Sequence, residues 1–543
     1  MIKLVILNIV LTFILFVIYP TNAIGQDEII VHAPTQITQH YVATNLNNNT
    51  IRIGLESRYL NAQQVNINNN TLIVGNYDNG FSPLANINGN NFSVVVDDRY
   101  YVNTGNSFYN FISAYTASSS FYNSVVSIYD GGFAIFIGPF NSYYTALISQ
   151  NIYGGSIVSA SNSRVRLMDG YRNVITKDSP LFFVDGDYDF MQIGGRSYRG
   201  IIEIGRNTNY GITPVNIINI EEYLFSVVPS EMPASWHIEA LKAQAVAARS
   251  YTHSRRGSHN HLGYELCDTI FSQVYTGVTS EHPNSTLAVQ LTSGLMAYFN
   301  DTVILAVYFS SSGGVTENSE NAWIEAVPYL RSVQDTYEAG AMEWDRTFTL
   351  TEINNFARNR NINIGNMQSI SIVHFEHGRV ANLILNGTNG TYTLRGENIR
   401  TFFGPHFYGS LHSRNFNMVG AESTTYIMQN TVSTTQLFYD NIVATNYSDI
   451  VQNVPQYFYG INYLGNVSNL NESIAIAGQP NTLNQQAYLP ATITQSQGYN
   501  IHFMGRGWGH GVGMSQFGAN SMANLDFNYR QILKHYFTGI EIR

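Results

Sequence analysis

Cysteine is almost absent. Cys267 stands alone in 543 residues, which excludes any disulfide within the chain and any lipid-modified cysteine near the N-terminus. Charge is scarce as well: Asp, Glu, Lys and Arg make up 12% of the chain, about half the usual quarter, and Asn, Ser, Thr and Tyr fill the gap. Charged disorder is excluded, because such chains lack aromatics, whereas 13% of this one is Phe, Trp or Tyr. A basic surplus is also missing. With 27 basic against 37 acidic residues and a net charge of −10, the chain has little attraction for nucleic acid or other polyanions, whose recognition rests on neutralising phosphates.

Long apolar runs are confined to the N-terminus. Lys3 precedes an apolar stretch from Leu4 to Tyr19, followed by the small-residue site Thr21-Asn22-Ala23. The stretch is short for a membrane span and suits a signal peptide, so residues 1–23 predict export to the periplasm or cell wall. Left uncleaved, the same segment would retain the protein at the membrane.

The length is a prior for two to four domains, and the pattern is α+β and strand-rich. Ile51–Leu55, Thr71–Gly75, Ile201–Ile204 and Val215–Ile218 read as strands, being β-branched and bounded by turn formers. Residues 95–165 form two strand–turn–helix halves, one with the turn Gly105-Asn106-Ser107-Phe108 and a helix through Ala114, the other with Gly138-Pro139-Phe140. They predict a small α+β module inserted in a larger domain of residues 40–95 and 163–543. Residues 236–256 predict a long Ala-rich helix, with Ser235 as its N-cap. Residues 421–500 lack a clear period and read as strands and loops.

Three blocks can carry chemistry. In the first, Glu231 is flanked by Pro229 and Pro233 and reads as the junction of an apolar strand and the Ala-rich helix. Val228 and Met232 beside it would raise its pKa, as a general acid needs; the alternative is a carboxylate favoured by a helix N-terminus. Lys242 and Arg249, seven residues apart, share one helical stripe roughly 10 Å long, and either hold substrate groups or form a solvated face. The second block, Tyr308 to Thr316, is a strand running into a Ser/Gly turn without nucleophile-elbow spacing, which predicts a polar loop lining a groove. In the third, Gly505 to Gly518, glycines alternate with other residues. Trp508 and His510 would project together from an extended segment, the indole to stack on a sugar ring and the imidazole to hydrogen-bond it.

Together these blocks resemble the SpoIID/LytB family of stage II sporulation protein D and the amidase enhancer LytB. The matching text is Ser230-Glu231-Met232-Pro233, Glu239 to Arg249, the Ser/Gly loop before Trp323, Tyr329-Leu330-Arg331-Ser332-Val333, the glycine block and Tyr529 to Gly539. It covers roughly 200–420 and 500–543. Residues 95–165 resemble a SPOR domain, a peptidoglycan-binding module that recognises glycan strands stripped of stem peptides.

The resemblance implies a lytic transglycosylase that cleaves between N-acetylmuramic acid and N-acetylglucosamine in peptide-free strands. Glu231 matches the catalytic acid, and Lys242, Arg249, Trp508 and His510 match binding residues, Trp508 standing where studied members carry Tyr. Glycoside hydrolases need two carboxyl groups, while a transglycosylase works with one; Glu221, Glu222 and Asp268 remain candidates for a second. The alternative it implies is a non-catalytic enhancer of an amidase. Some members bind zinc at a Cys-Asp-Thr-Thr-His-Cys segment with an upstream histidine. Here the text is Cys267-Asp268-Thr269-Ile270-Phe271-Ser272 with His261 upstream. Two of four ligands are gone, so neither a metal nor another cofactor is expected.

Overall fold

The structure is a computed structural model. It describes residues 31–32, 49–404 apart from 79, 130, 188–189, 208, 324 and 339–341, then 410–420, 423–424, 458–461, 467–470, 491–494 and 500–543. The N-terminal apolar run and most of 421–500 lie outside the described residues. Among the described residues no helix is long and apolar enough to cross a membrane.

The chain divides into two compact units. One comprises residues up to Asn219 together with His259–Cys267, and the other Ile220–Ser258 with Asp268–Arg543. The first unit is strand-rich, as the β-branched runs require. An eight-stranded sheet contains Thr71–Tyr77, Leu181–Asp185, Ile201–Ile204, Val215–Asn219 and β1 (Thr50–Gly54), with the short Leu266–Cys267 strand on its edge, parallel to β1.

The two strand–turn–helix halves are present in this unit. Tyr100–Phe108 leads to helix α1 (Phe111–Ser118), and Gly132–Phe140 leads to helix α2 (Tyr143–Tyr153). Their strands do not make a sheet of their own. Strands 156–158, 100–108, 132–140 and 124–129 occupy one end of a ten-stranded sheet, where Ser124–Tyr129 pairs in parallel with Arg172–Lys177. Backbone ladders therefore run on from the module into residues 64–67, 92–96 and 165–198.

The second unit centres on an Ala-rich helix. Helix α3 (Ile220–Glu231) precedes α4 (Ile238–Arg255). Around α4 pack α3, α5 (Pro283–Leu291), α7 (Gln516–Ala523) and α8 (Tyr529–Tyr536), while α6 (Leu350–Asn359) lies elsewhere in the unit. Ala240, Ala243, Ala245, Ala247 and Ala248 are fully buried. Alanine is thus used for close approach on several faces as well as for propensity, since a helix buried all round must be apolar all round.

Two expectations are corrected here. The cap of α4 is His237, whose Nδ1 accepts from the Glu239 amide, so Ser235 lies before the helix. The stretch read as an apolar strand is helix α3: Ile220, Tyr223, Leu224, Val227 and Val228 are buried at helical spacing. Their 3.6-residue period outweighs the β-branched pair at its end.

A buried ionic group ties the rest of this unit together. Glu317 is fully buried and accepts from Arg414 Nη2 at 3.0 Å and Asn321 Nδ2 at 2.8 Å, with His377 Nε2 at 2.9 Å. Burial alone would raise its pKa, but the His377 contact and the Arg414 and Arg379 charges hold it at about 2. A depressed folded-state value means stability that is complete above the ordinary glutamate range and lost as pH falls toward 2. Urea denaturation across a pH series should show a loss of about 3 kcal/mol from this group between pH ~5 and ~2. Glu317→Gln, which takes from Arg414 the nearer of its two carboxylates and leaves Glu397 at 3.4 Å, should cost up to about 3–5 kcal/mol at pH 7.

Candidate active site

Glu231 is the last residue of α3, at the negative end of the helix dipole. This overturns the reading of a carboxylate favoured by a helix N-terminus. Its Oε1 accepts from the Val274 amide at 2.9 Å, and its side chain is partly exposed. Burial raises its pKa to about 7 against the opposing pull of the Val274 amide. Glu231 is therefore substantially protonated at neutrality and able to give a proton at its open edge.

The residue before Val274 builds the adjoining wall. Gln273 is buried, and its Nε2 donates to the Ala248 carbonyl at 3.3 Å and to Tyr308 Oη at 3.0 Å, while its Oε1 accepts from Thr252 Oγ1 at 2.8 Å. The Ala248 carbonyl can only accept, which fixes the amide orientation. Tyr308 Oη consequently accepts from Gln273 and keeps its own proton to donate. Burial, and next the Glu231 charge, push the Tyr308 phenol well above its ordinary pKa, so it stays protonated beside the carboxyl.

Tyr308 also links this corner to the glycine block. Tyr308–Phe309 pairs in parallel with Met514–Ser515, and the Tyr308 carbonyl hydrogen-bonds the ring of His510. His510 Nδ1 accepts from the Val512 amide at 3.1 Å, so backbone groups engage the imidazole. Burial, assisted by the Arg400 and Arg379 charges and opposed by Glu397, lowers its pKa to about 4. His510 is neutral at pH 7.

The expected side-by-side projection of Trp508 and His510 does not occur. Gly507, Gly509, Gly511 and Gly513 all have positive φ, which breaks the two-residue alternation of an extended segment. At Gly513 a Cβ would also stand 2.2 Å from the Val307 carbonyl. Trp508 stacks on His412, centroids 3.8 Å apart, while His510 packs against Phe309 and Trp323 at 5.5 and 5.2 Å. Trp323 is 40% exposed. It presents an open indole beside His510, and the sequence offered it only as the tryptophan after the Ser/Gly loop.

Lys242 and Arg249 have separate surroundings despite their shared stripe. Lys242 Nζ pairs with Glu239 Oε1 at 2.7 Å and is partly exposed. Arg249 is 1% exposed; it forks onto Glu221 Oε2 at 2.6 Å and Oε1 at 2.8 Å and donates to the Leu295 carbonyl at 3.0 Å. Its guanidinium holds α3 against α4. Glu221, one candidate second acid, is taken up by this fork. The Ser/Gly loop also differs from expectation: Ser311 and Ser312 are fully buried and their hydroxyls donate to Glu338, so they line no groove.

The metal expectation counted Cys267 and His261. The structure instead brings Cys267 together with Glu56 and His259 in the first unit, with one ligand atom of each within 4.8 Å of the others. A thiolate, an imidazole and a carboxylate suit a zinc-class ion.

Residues 208–299, which include Glu231, Lys242 and Arg249, match the SpoIID family model, described as stage II sporulation protein. The chain is 31% identical over 319 residues to the amidase enhancer of Bacillus subtilis (strain 168), the match covering 58% of this chain and 39% of that protein. It is 27% identical over 345 residues to stage II sporulation protein D of the same organism, covering 60% of this chain and 75% of that protein. The counterpart from Bacillus amyloliquefaciens is 26% identical over 360 residues. The chain thus spans well under half the length of the matched amidase enhancer.

Two stability measurements test these assignments. A raised folded-state pKa at Glu231 means that stability falls as pH rises from about 4.5 to about 7. Glu231→Gln should therefore match wild type at pH 4 and exceed it at pH 8, by less than the full ~3 kcal/mol because water reaches the exposed edge; urea denaturation at both pH values reads this. Arg249→Ala should cost about 3–5 kcal/mol by taking away the cation that Glu221 faces, and Arg249→Lys should recover only part, since an ammonium cannot reproduce the fork. Unchanged stability in both variants would remove the structural role.

Proposed function

Because the chain belongs to the SpoIID family, we propose that it is an exported lytic transglycosylase of peptide-free peptidoglycan strands. The observation that carries this reading is the single carboxyl group of Glu231, desolvated to a pKa of about 7 yet open at one edge. A group poised there serves equally as acid and as base near neutrality.

In this reaction protonated Glu231 gives its proton to the glycosidic oxygen as the bond from C1 of N-acetylmuramic acid breaks. The departing N-acetylglucosamine leaves as the alcohol. The Glu231 carboxylate then takes the proton from the C6 hydroxyl of the same muramic acid as that oxygen bonds to C1. The product is a 1,6-anhydro end, and Glu231 returns to its starting state without a second carboxyl or a water. Tyr308, with its proton free to donate, supports the developing charge, and Trp323 offers a face for a sugar ring. Trp508 and His510 shape the neighbouring wall. Residues 95–165, read as SPOR-like, would hold the denuded strand.

The amidase enhancer among the relatives favours a second reading, in which the same cleft presents glycan to an amidase. Mass spectrometry of denuded strands separates the two. Anhydro ends from wild type, with at least a ~100-fold loss in Glu231→Gln, are expected. The rate at saturating substrate should fall above pH ~7, where Glu231 loses the proton it must give. Hydrated ends would indicate a hydrolase, and intact strands that retain the protein would indicate the enhancer.

A further inference from the structure

The second unit has a hollow of about 500 Å³, none of whose lining residues takes part in the proposed reaction; its size is that of a small-molecule site. One wall is the segment 317–323, tied at both ends to the glycine block. The Glu317 amide donates to the Gly511 carbonyl at 2.8 Å, and Trp323 packs on His510. The other wall is the turn joining strands Met367–His374 and Val380–Gly387. The ladder between these strands slips beside Val373, leaving Ala381 as an extra residue, and such a bulge redirects a side chain. Val373, Phe375 and Ala381 give this wall its apolar surface.

The first wall carries two amides whose orientations are fixed by what they bind. Asn321 Nδ2 donates to Glu317 Oε1 at 2.8 Å. A carboxylate held ionised can only accept, so Asn321 turns its Oδ1 away from Glu317. Asn318 Oδ1 accepts from the Ser332 amide at 2.8 Å, and a backbone N–H can only donate, so Asn318 keeps its Nδ2 for another partner. Both side chains stand on one turn, where the Asn321 amide donates to the Asn318 carbonyl at 3.1 Å. Among the described residues neither Asn318 Nδ2 nor Asn321 Oδ1 has a hydrogen-bond partner, and both residues are partly exposed. The hollow thus combines one donor, one acceptor and a small apolar surface.

We propose that this hollow binds the acetamido group of an N-acetylhexosamine in the glycan strand, away from the bond that Glu231 cleaves. An acetamido group carries one carbonyl, one N–H and one methyl. Its carbonyl accepts from Asn318 Nδ2, its N–H donates to Asn321 Oδ1, and its methyl lies on Val373 and Ala381. A lone hydroxyl in its place brings no methyl and meets the two amides with a single atom. The inference rests on the glycan reading above and adds to it a second grip on the strand, linked through Trp323 to His510.

The test uses the full chain carrying Glu231→Gln, so that probes stay intact, and calorimetry with two neutral tetramers. One is fully N-acetylated chitotetraose; the other is cellotetraose, which has a hydroxyl at each acetamido position. The acetylated tetramer should bind at least about tenfold more tightly. Asn318→Asp keeps the acceptor for Ser332 but sets a second acceptor against the acetamido carbonyl, while Ala381→Leu fills the apolar surface. Each should erase the preference, with circular dichroism showing an unchanged fold. A preference undiminished in either folded variant overturns the proposal, as does its absence from the parent protein. Displacement of the tetramer by a stem-type peptide with backbone amides alone also overturns it. Anhydro ends made by the chain with Glu231 intact report on the transglycosylase reading separately, since the hollow can fail while they form and hold while they do not.

Discussion

The second unit depends on the burial of one helix. α4 is enclosed by α3, α5, α7 and α8, and the fully buried alanines along it let those neighbours come close. The buried charged group on that helix, Arg249, must find its partners inside the protein, because an unpaired buried guanidinium is costly. It finds Glu221 in the first turn of α3. That fork sets where α3 lies, and α3 ends on Glu231. The position of the carboxyl is thus inherited from the packing of alanines and one ion pair.

Once placed, Glu231 has its proton affinity set by three local facts. It caps the carboxyl end of a helix, where the dipole disfavours negative charge. The protein around it is poor in water, and a single amide, that of Val274, offsets the desolvation. The pair Gln273-Val274 serves both sides of the site, since the Val274 amide holds Glu231 while the Gln273 side chain turns Tyr308 so that its hydroxyl can donate. Tyr308 then reaches His510 through its own carbonyl. Contacts over adjacent residues run from the acid to the glycine block.

The sequence made much of this legible. Strands with β-branched runs came out within a residue or two at 50–54, 71–77, 201–204 and 215–219, because alternation and turn formers are local signals. The long helix was visible through alanine content. Glu231 stood out through its prolines, but its place at a helix C-terminus was hidden by the Val-Val pair, although the spacing from Ile220 to Val228 carried the helical period. Gln273, Val274 and Tyr308 were not recoverable as site residues: their roles arise from one backbone amide and one oriented side-chain amide, which leave no pattern in composition. Arg249 was read by its charge and stripe, yet what decides its role is the Glu221 partner 28 residues away. The gathering of Glu56 with His259 and Cys267 depends on a parallel strand pairing across some 200 residues, which no spacing rule reaches.

The charge states of the site bear on the kind of polymer it can accept. Muramic acid stripped of its peptide exposes a lactyl carboxylate, and a charged Glu231 in a desolvated pocket would repel it, because like charges gain strength as the dielectric falls. On the proposed reading, Glu231 with a pKa of about 7 would meet such a strand about half in its neutral form at pH 7, and His510, held neutral at about 4, would add no charge of its own. Lys242 already shares its charge with Glu239. The site thus offers a donatable proton and aromatic faces. A carboxyl kept desolvated at the expense of stability is of no use to mere attachment to the wall, whereas the proposed reaction would use it, giving a proton to a glycosidic oxygen and recovering one from a hydroxyl.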